Sequence, residues 1–207
     1  PGGAQEYFGI QADLVTYGKT LGGGYPVGVV CGKHHWMKRW KENRPADICF
    51  ARGTFNAHPV VLSAMKAFLD EIEKPEIQAL YEGLDERWNQ RCEKFNHTMR
   101  EFDFPIQATN MSSVWTISYT QPGRYHWLFQ FYLRAEGLAL SWVGTGRLIF
   151  SLNYGETEFQ AVLDRFVAAA KKMSEDGWWW QNPQLTHRNI RLQILRETLG
   201  WPEKTSD

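Results

Sequence analysis

No apolar run in this chain is long enough to cross a bilayer as a helix. The Pro1-Gly2-Gly3 stretch lacks the basic and apolar organisation of a secretion signal. Charge of one sign is missing too. With 23 basic and 23 acidic residues the formal net charge is zero, so composition points to neither a nucleic acid nor an anionic membrane as partner. Cysteine is scarce: Cys31, Cys49 and Cys92 make an odd count without a CxxC pair, and free thiols in a reducing cytoplasm are the simpler reading. His34 and His35 diverge on a helix and have no third ligand at useful spacing, so no metal site is predicted. Internal repeats and low-complexity linkers are also missing.

What is there reads as an ordinary globular chain. Its 207 residues, 43% apolar and 22% charged, suffice for one large domain or two small ones with a real core. The unusual number is 10 tryptophans, three of them consecutive at Trp178, Trp179 and Trp180. Such a run is either a docking patch or a helix cap packed on its domain, and the cap is the more frequent case.

The chain is organised around Asp13 to Gly28, a short apolar strand, Lys19, and three consecutive glycines. Gly18-Lys19-Thr20 matches the end of a P-loop, but the glycine that pattern requires upstream is replaced by Asp13, a carboxylate of the wrong sign for a polyphosphate. An amine role fits better. Leu14, Val15 and Tyr17 favour a strand, which sets Lys19 where a buried strand ends and a loop begins, the usual ligand position of open α/β sheets. A lysine partly removed from water there becomes a nucleophilic amine. From spacing alone, a solvated lysine in a Gly-rich turn stands beside that reading.

Further along, periodicity predicts a strand over 26–31 and helices over 34–41, 59–72 and 76–102, the last bridging into a second domain. Residues 1–12 hold no complete element, so the chain reads as one that begins in mid-domain. Strands follow at 113–119, 138–143 and 147–152, with helices at 125–136, 156–174 and 187–199. Helices beside an antiparallel sheet predict a small α+β domain in this second part.

Gly3 to Lys33, GAQEYFGIQADLVTYGKTLGGGYPVGVVCGK, resembles the cofactor-lysine segment of class III pyridoxal-phosphate aminotransferases, the group that includes glutamate-1-semialdehyde aminomutase. Arg52 to Pro59, RGTFNAHP, resembles that family's Gly-Thr segment upstream of a long helix. The resemblance implies an α/β chain: the C-terminal part of the large domain of a fold-type-I enzyme over 1–84, then a small α+β domain with a Trp-rich helical tail over 85–207. It implies pyridoxal 5'-phosphate as cofactor, held by Lys19 as a Schiff base, with Gly53 and Thr54 on the phosphate of a partner subunit. A homodimer with shared active sites follows, acting on an amino acid or amino-aldehyde. In the bland alternative Thr54 only caps a turn. Arg147 resembles the arginine that many members set on a substrate carboxylate; a solvated strand-end arginine is the competing reading.

The resemblance covers nearly all of this chain but only about the C-terminal half of the family's fold. The family's aspartate for the pyridine nitrogen, its Gly-rich phosphate loop and its stacking aromatic have no counterpart here. The 207 residues alone are therefore expected to bind the cofactor poorly and to turn over little or nothing. The competing function is a non-catalytic interaction domain that keeps the small-domain fold and docks through its Trp-rich tail.

Overall fold

A computed structural model describes residues 2–38, 42–44, 53–140, 146–180, 182 and 184–201. Two units emerge, Pro1–Glu82 and Gly83–Asp207, and each is described by itself.

The first unit opens on α1 (Gly3–Phe8), where no complete element was expected. Two strands follow, β1 (Leu14–Gly18) and β2 (Gly28–Gly32), paired antiparallel with Leu14 opposite Gly32 and Gly18 opposite Gly28. The expected buried strand is corrected here. Leu14, Tyr17 and Val30 are exposed, because among the described residues no further strand covers this two-stranded ribbon. Next come α2 (His34–Met37), which stops where Lys38 turns extended, and α3 (Pro59–Ile72). The rest of the helix predicted to Lys41 lies outside the described residues, as does Cys49. Pro59 sits in the first turn of α3, where its missing N–H costs nothing.

The helix predicted over 76–102 is two helices, α4 (Pro75–Ala79) and α5 (Leu84–Glu101). Gly83 separates them in the left-handed region, φ +62°, a conformation that a residue with a Cβ adopts only at a cost. The apolar spacing runs straight across that glycine, which is why periodicity alone joined the two.

The second unit is built on a three-stranded antiparallel sheet in the order β3 (Ile106–Met111), β4 (Val114–Tyr119), β5 (Arg147–Ile149). Periodicity had passed over β3. A short 3-10 turn, His126–Leu128, leads into α6 (Phe129–Ala135). Residues 138–140 form no strand where one was predicted, and 141–143 lie outside the described residues. The long α7 (Glu156–Glu175) begins as the Glu158 carboxylate accepts the Gly155 N–H at 2.9 Å. The closing helix is α8 (His187–Thr198), whose Thr186 Oγ1 accepts the Asn189 N–H at 3.1 Å.

Aromatic rings carry the core of this unit. Trp88 from α5 stacks on Phe150 with centroids 4.6 Å apart and meets Trp115 and Phe159 edge-on at 5.9 and 6.4 Å. Phe95 meets Trp115 at 5.7 Å and Phe166 at 5.1 Å, so α5, β4 and α7 share one cluster. The tryptophan run divides: the Trp179 indole donates to the Ala170 carbonyl at 3.0 Å and packs beside Phe129, whereas Trp180 is exposed. Trp179 is the packed cap.

His126 is buried between the sheet and the tail, stacked 4.2 Å from Tyr119, with Trp179 at 5.6 Å and His187 of α8 near enough to repel its charge. Burial, reinforced by His187, pushes the imidazole down to about 4, and burial pushes the Tyr119 phenol up to about 12.

Two predictions follow from this packing. Trp88→Ala removes the ring at the centre of the cluster and should lower unfolding stability by about 3–5 kcal/mol in a urea titration. A change below about 1 kcal/mol would mean the cluster does not carry the fold. The second concerns pH. His126 titrates at about 4 folded and near 6.5 unfolded, so between those values the unfolded chain binds more protons. Stability is complete above pH ~6.5 and should fall by about 1–3 kcal/mol as pH drops to ~4. His126→Phe keeps the stack and should flatten that dependence; an unchanged slope would assign it to another group.

Candidate functional site

The Lys19 segment leaves β1 as a 3-10 turn, Lys19–Gly22, packed on α3. That packing needs glycine. A Cβ on Gly23, at φ +58°, would stand 3.2 Å from the Ala64 carbonyl oxygen of α3. The turn is thereby pressed against the helix, and the chain in front of it takes an uncommon shape. Lys19 itself adopts φ +53°, the left-handed region that a long side chain seldom enters. Such strain persists where surrounding packing imposes it, and it occurs often at functional positions.

Lys19 is exposed, not partly buried as the sequence reading had it. The reason is the ribbon: among the described residues β1 has β2 on one side and no strand on the other. Among the described residues nothing accepts a hydrogen bond from its ammonium. Asp13, the residue that spoiled the P-loop match, forms an ion pair with Lys33 at 2.7 Å and clasps β1 to the end of β2.

The Gly53-Thr54 segment reaches α3 from the other direction. Residues 54–57 form a turn in which the Asn56 N–H donates to the Gly53 carbonyl at 3.1 Å, and Ala57, at φ +56°, is a second non-glycine residue in the left-handed region. Gly53 and Thr54 are both exposed. One helix thus supports both predicted segments: the Lys19 turn packs on it, and the Thr54 turn leads into its first residue.

His58 was not singled out from the sequence. Its Nδ1 is buried without a hydrogen-bond partner among the described residues, and its ring lies 6.1 Å from that of Phe55. A buried polar atom left unpaired in this way calls for a partner that the described residues do not supply. Only the placement of the two turns on α3 reveals it.

Arg147 belongs to the second unit. It is exposed at the start of β5, paired with Thr116 of β4, directly after the Gly146 carbonyl that accepts the Ile117 N–H at 2.7 Å. Lys19, Gly53 and Thr54 are thus gathered on one element, and Arg147 is not part of that grouping.

Comparison with known proteins puts this geometry in context. The description of class-III aminotransferases matches residues 3–169. A glutamate-1-semialdehyde 2,1-aminomutase of Nitratidesulfovibrio vulgaris is 28% identical over 185 residues, 84% of this chain and 41% of that protein. The aminomutase of Ignicoccus hospitalis is 49% identical over 73 residues, 35% of this chain and 16% of that one. Among solved structures, an omega-transaminase from Sphaerobacter thermophilus superposes with a TM-score of 0.68 at 26% identity, over 82% of this chain and 41% of its own. A transaminase with PLP bound shares the fold at a TM-score of 0.69 and 21% identity, over 84% of this chain and 42% of its own. The chain thus spans well under half the length of the relatives it matches. The strained lysine turn on α3 and the Gly-Thr turn that opens the same helix both fall inside the matched residues, and the chain belongs to the class-III aminotransferase family, whose cofactor is pyridoxal phosphate.

Proposed function

We propose that this chain is the C-terminal part of an amino-group-transferring enzyme, with Lys19 as its cofactor lysine and with residues 1–84 and 85–207 forming the end of a large domain and a small domain. The observation that carries this is the Lys19 turn: an exposed amine without a partner among the described residues, on a backbone at φ +53°, inside the family match.

The residues present fit two parts of the cofactor. Lys19 Nζ suits the aldehyde carbon, and the exposed Thr54 hydroxyl suits a phosphate. When bound, the cofactor supplies an electron sink for charge developing on a substrate carbon. Lys19 Nζ holds the cofactor and, when released, carries a proton to and from that carbon. Arg147 is the guanidinium proposed for a substrate carboxylate. Asp13 is taken by Lys33, so this segment offers no free carboxylate for the ring nitrogen. Amino acids or amino-aldehydes are the proposed substrates, in a cytoplasmic homodimer whose Thr54 serves the partner's cofactor.

Burial supports the reading of a partial domain. Gly22 is the one buried residue of the first unit among those described, while Tyr7, Phe8, Leu14, Tyr17, Trp36 and Phe55 stand exposed. Apolar exposure on this scale calls for further protein surface.

The 207-residue chain alone should therefore give no saturable change in cofactor absorbance at micromolar pyridoxal phosphate; tight binding would refute the partial-site reading. In the complete enzyme, borohydride reduction with cofactor and peptide mapping should mark Lys19, and Lys19→Ala should cut turnover by at least about 10²-fold. Marking of another lysine, or unchanged turnover, would remove the assignment and favour a non-catalytic domain.

A further inference from the structure

Asp176 is the aspartate of this sequence that a glycine follows, and no asparagine of the chain precedes one. The pair has a chemistry of its own. A glycine amide has no Cβ beside it, so its nitrogen can turn back on the side-chain carbonyl carbon of the residue before it.

The pair closes α7. Asp176 caps the helix at φ −79° and ψ 0°, and Gly177 follows at φ +75°. The Gly177 N–H donates to the Ser174 carbonyl at 2.9 Å and the Trp178 N–H to the Met173 carbonyl at 3.1 Å, the two bonds of a Schellman ending. The Asp176 side chain is held from another element, since the Tyr132 hydroxyl of α6 donates to its Oδ2. Both residues of the pair are exposed, and a Cβ added to Gly177 would meet nothing within 4 Å. Water therefore reaches the joint. Just beyond it, the Trp179 indole donates to the Ala170 carbonyl at 3.0 Å, and the Trp179 carbonyl accepts the Gln121 amide at 2.9 Å.

We propose that Asp176-Gly177 is a site of spontaneous aspartate isomerisation, kept in its native linkage by the Tyr132 hydroxyl and by the closed end of α7. The Gly177 nitrogen attacks Asp176 Cγ. The N–Cγ bond forms as a Cγ–O bond breaks, and the carboxyl oxygen leaves as water with the amide proton and the carboxyl proton. Water then opens the five-membered imide. Addition at Cγ restores aspartate, whereas addition at the backbone carbonyl carbon breaks its bond to nitrogen and leaves the chain running through Cβ and Cγ. Composition is unchanged, and no oxidant or reductant is needed.

The folded chain opposes this at three points. The Gly177 N–H is engaged by Ser174, and ring closure requires rotation about ψ from 0° until the nitrogen lies in plane with Cβ, which unwinds the last turn. The Tyr132 hydroxyl favours the ionised carboxylate, a poorer acyl group than the neutral acid. Reaction thus proceeds from a locally opened helix end. Its product adds one atom to the main chain between α7 and Trp178, so the spacing on which both Trp179 hydrogen bonds depend is lost.

The test incubates the full 207-residue chain at neutral pH, folded and in urea, and follows each aspartate by peptide mapping and by enzymatic methylation of isoaspartyl carboxylates. In urea, isoaspartate should build at Asp176 ahead of every other aspartate, and in the folded chain it should form about tenfold more slowly or less. Tyr132→Phe, with circular dichroism matching the parent, should speed the folded chain about fivefold. Asp176→Glu, which would need a six-membered ring, should form none. The isomerised chain should exchange its Trp179 indole N–H faster, while amides of α5 exchange as before. Equal rates folded and in urea, a Tyr132→Phe rate like the parent's, or another aspartate reacting first overturns the proposal. Unchanged Trp179 exchange in the isomerised chain overturns its structural consequence.

Discussion

The edge-to-face contact of Trp88 with Trp115 is the interaction on which the second unit depends. It joins the first long helix to the central strand, and through Phe150, Phe95 and Phe159 the same cluster reaches the edge strand and α7. Large rings suit this task because each buries much apolar area while losing few rotatable bonds. The buried Arg91 guanidinium caps the cluster, lying 4.6 Å from the Trp88 ring and donating to the Tyr154 carbonyl at 3.0 Å. Met99, Ile106, Leu133, Leu163 and Met173 fill the space around the rings, and the unit has a continuous buried core.

The first unit works under the opposite condition. Its described residues contain almost no interior, and its order comes from local devices: the β1–β2 ribbon, the Asp13–Lys33 pair and the glycine turn against α3. Those devices fix the lysine turn without burying it. In a catalytic lysine, burial and neighbouring charge tune the amine, and neither is supplied here by the ribbon itself. What this chain shows at the candidate site is backbone strain at Lys19 and Ala57: two turns held in uncommon conformations at one helix.

The two units differ in how they are ordered. The candidate lysine turn lies where packing is thin, and the aromatic packing lies in the second unit, also inside the residues that match the family. His126 stands at the junction of core and tail, and burial, reinforced by His187, keeps its imidazole neutral down to about pH 4, where a solvated imidazole would already carry a proton below about 6.5.

Much of this was legible in the chain. Composition and the order of periodic segments gave an α/β protein with a small α+β part, Pro59 and Gly200 marked helix ends, and the segments around Lys19 and Thr54 carried the family by residue type and order. What the sequence could not reveal is what depends on neighbours. A period of 3.6 runs through Gly83 unbroken, because left-handed φ leaves no trace in hydrophobic spacing. Strand β3 was invisible because its inward residues, Ile106 and Ala108, alternate with polar ones too briefly to register. The exposure of Lys19 and the orphaned nitrogen of His58 were decided by tertiary structure alone, since each is a statement about which surfaces are covered, and coverage is set by the elements packed around a residue.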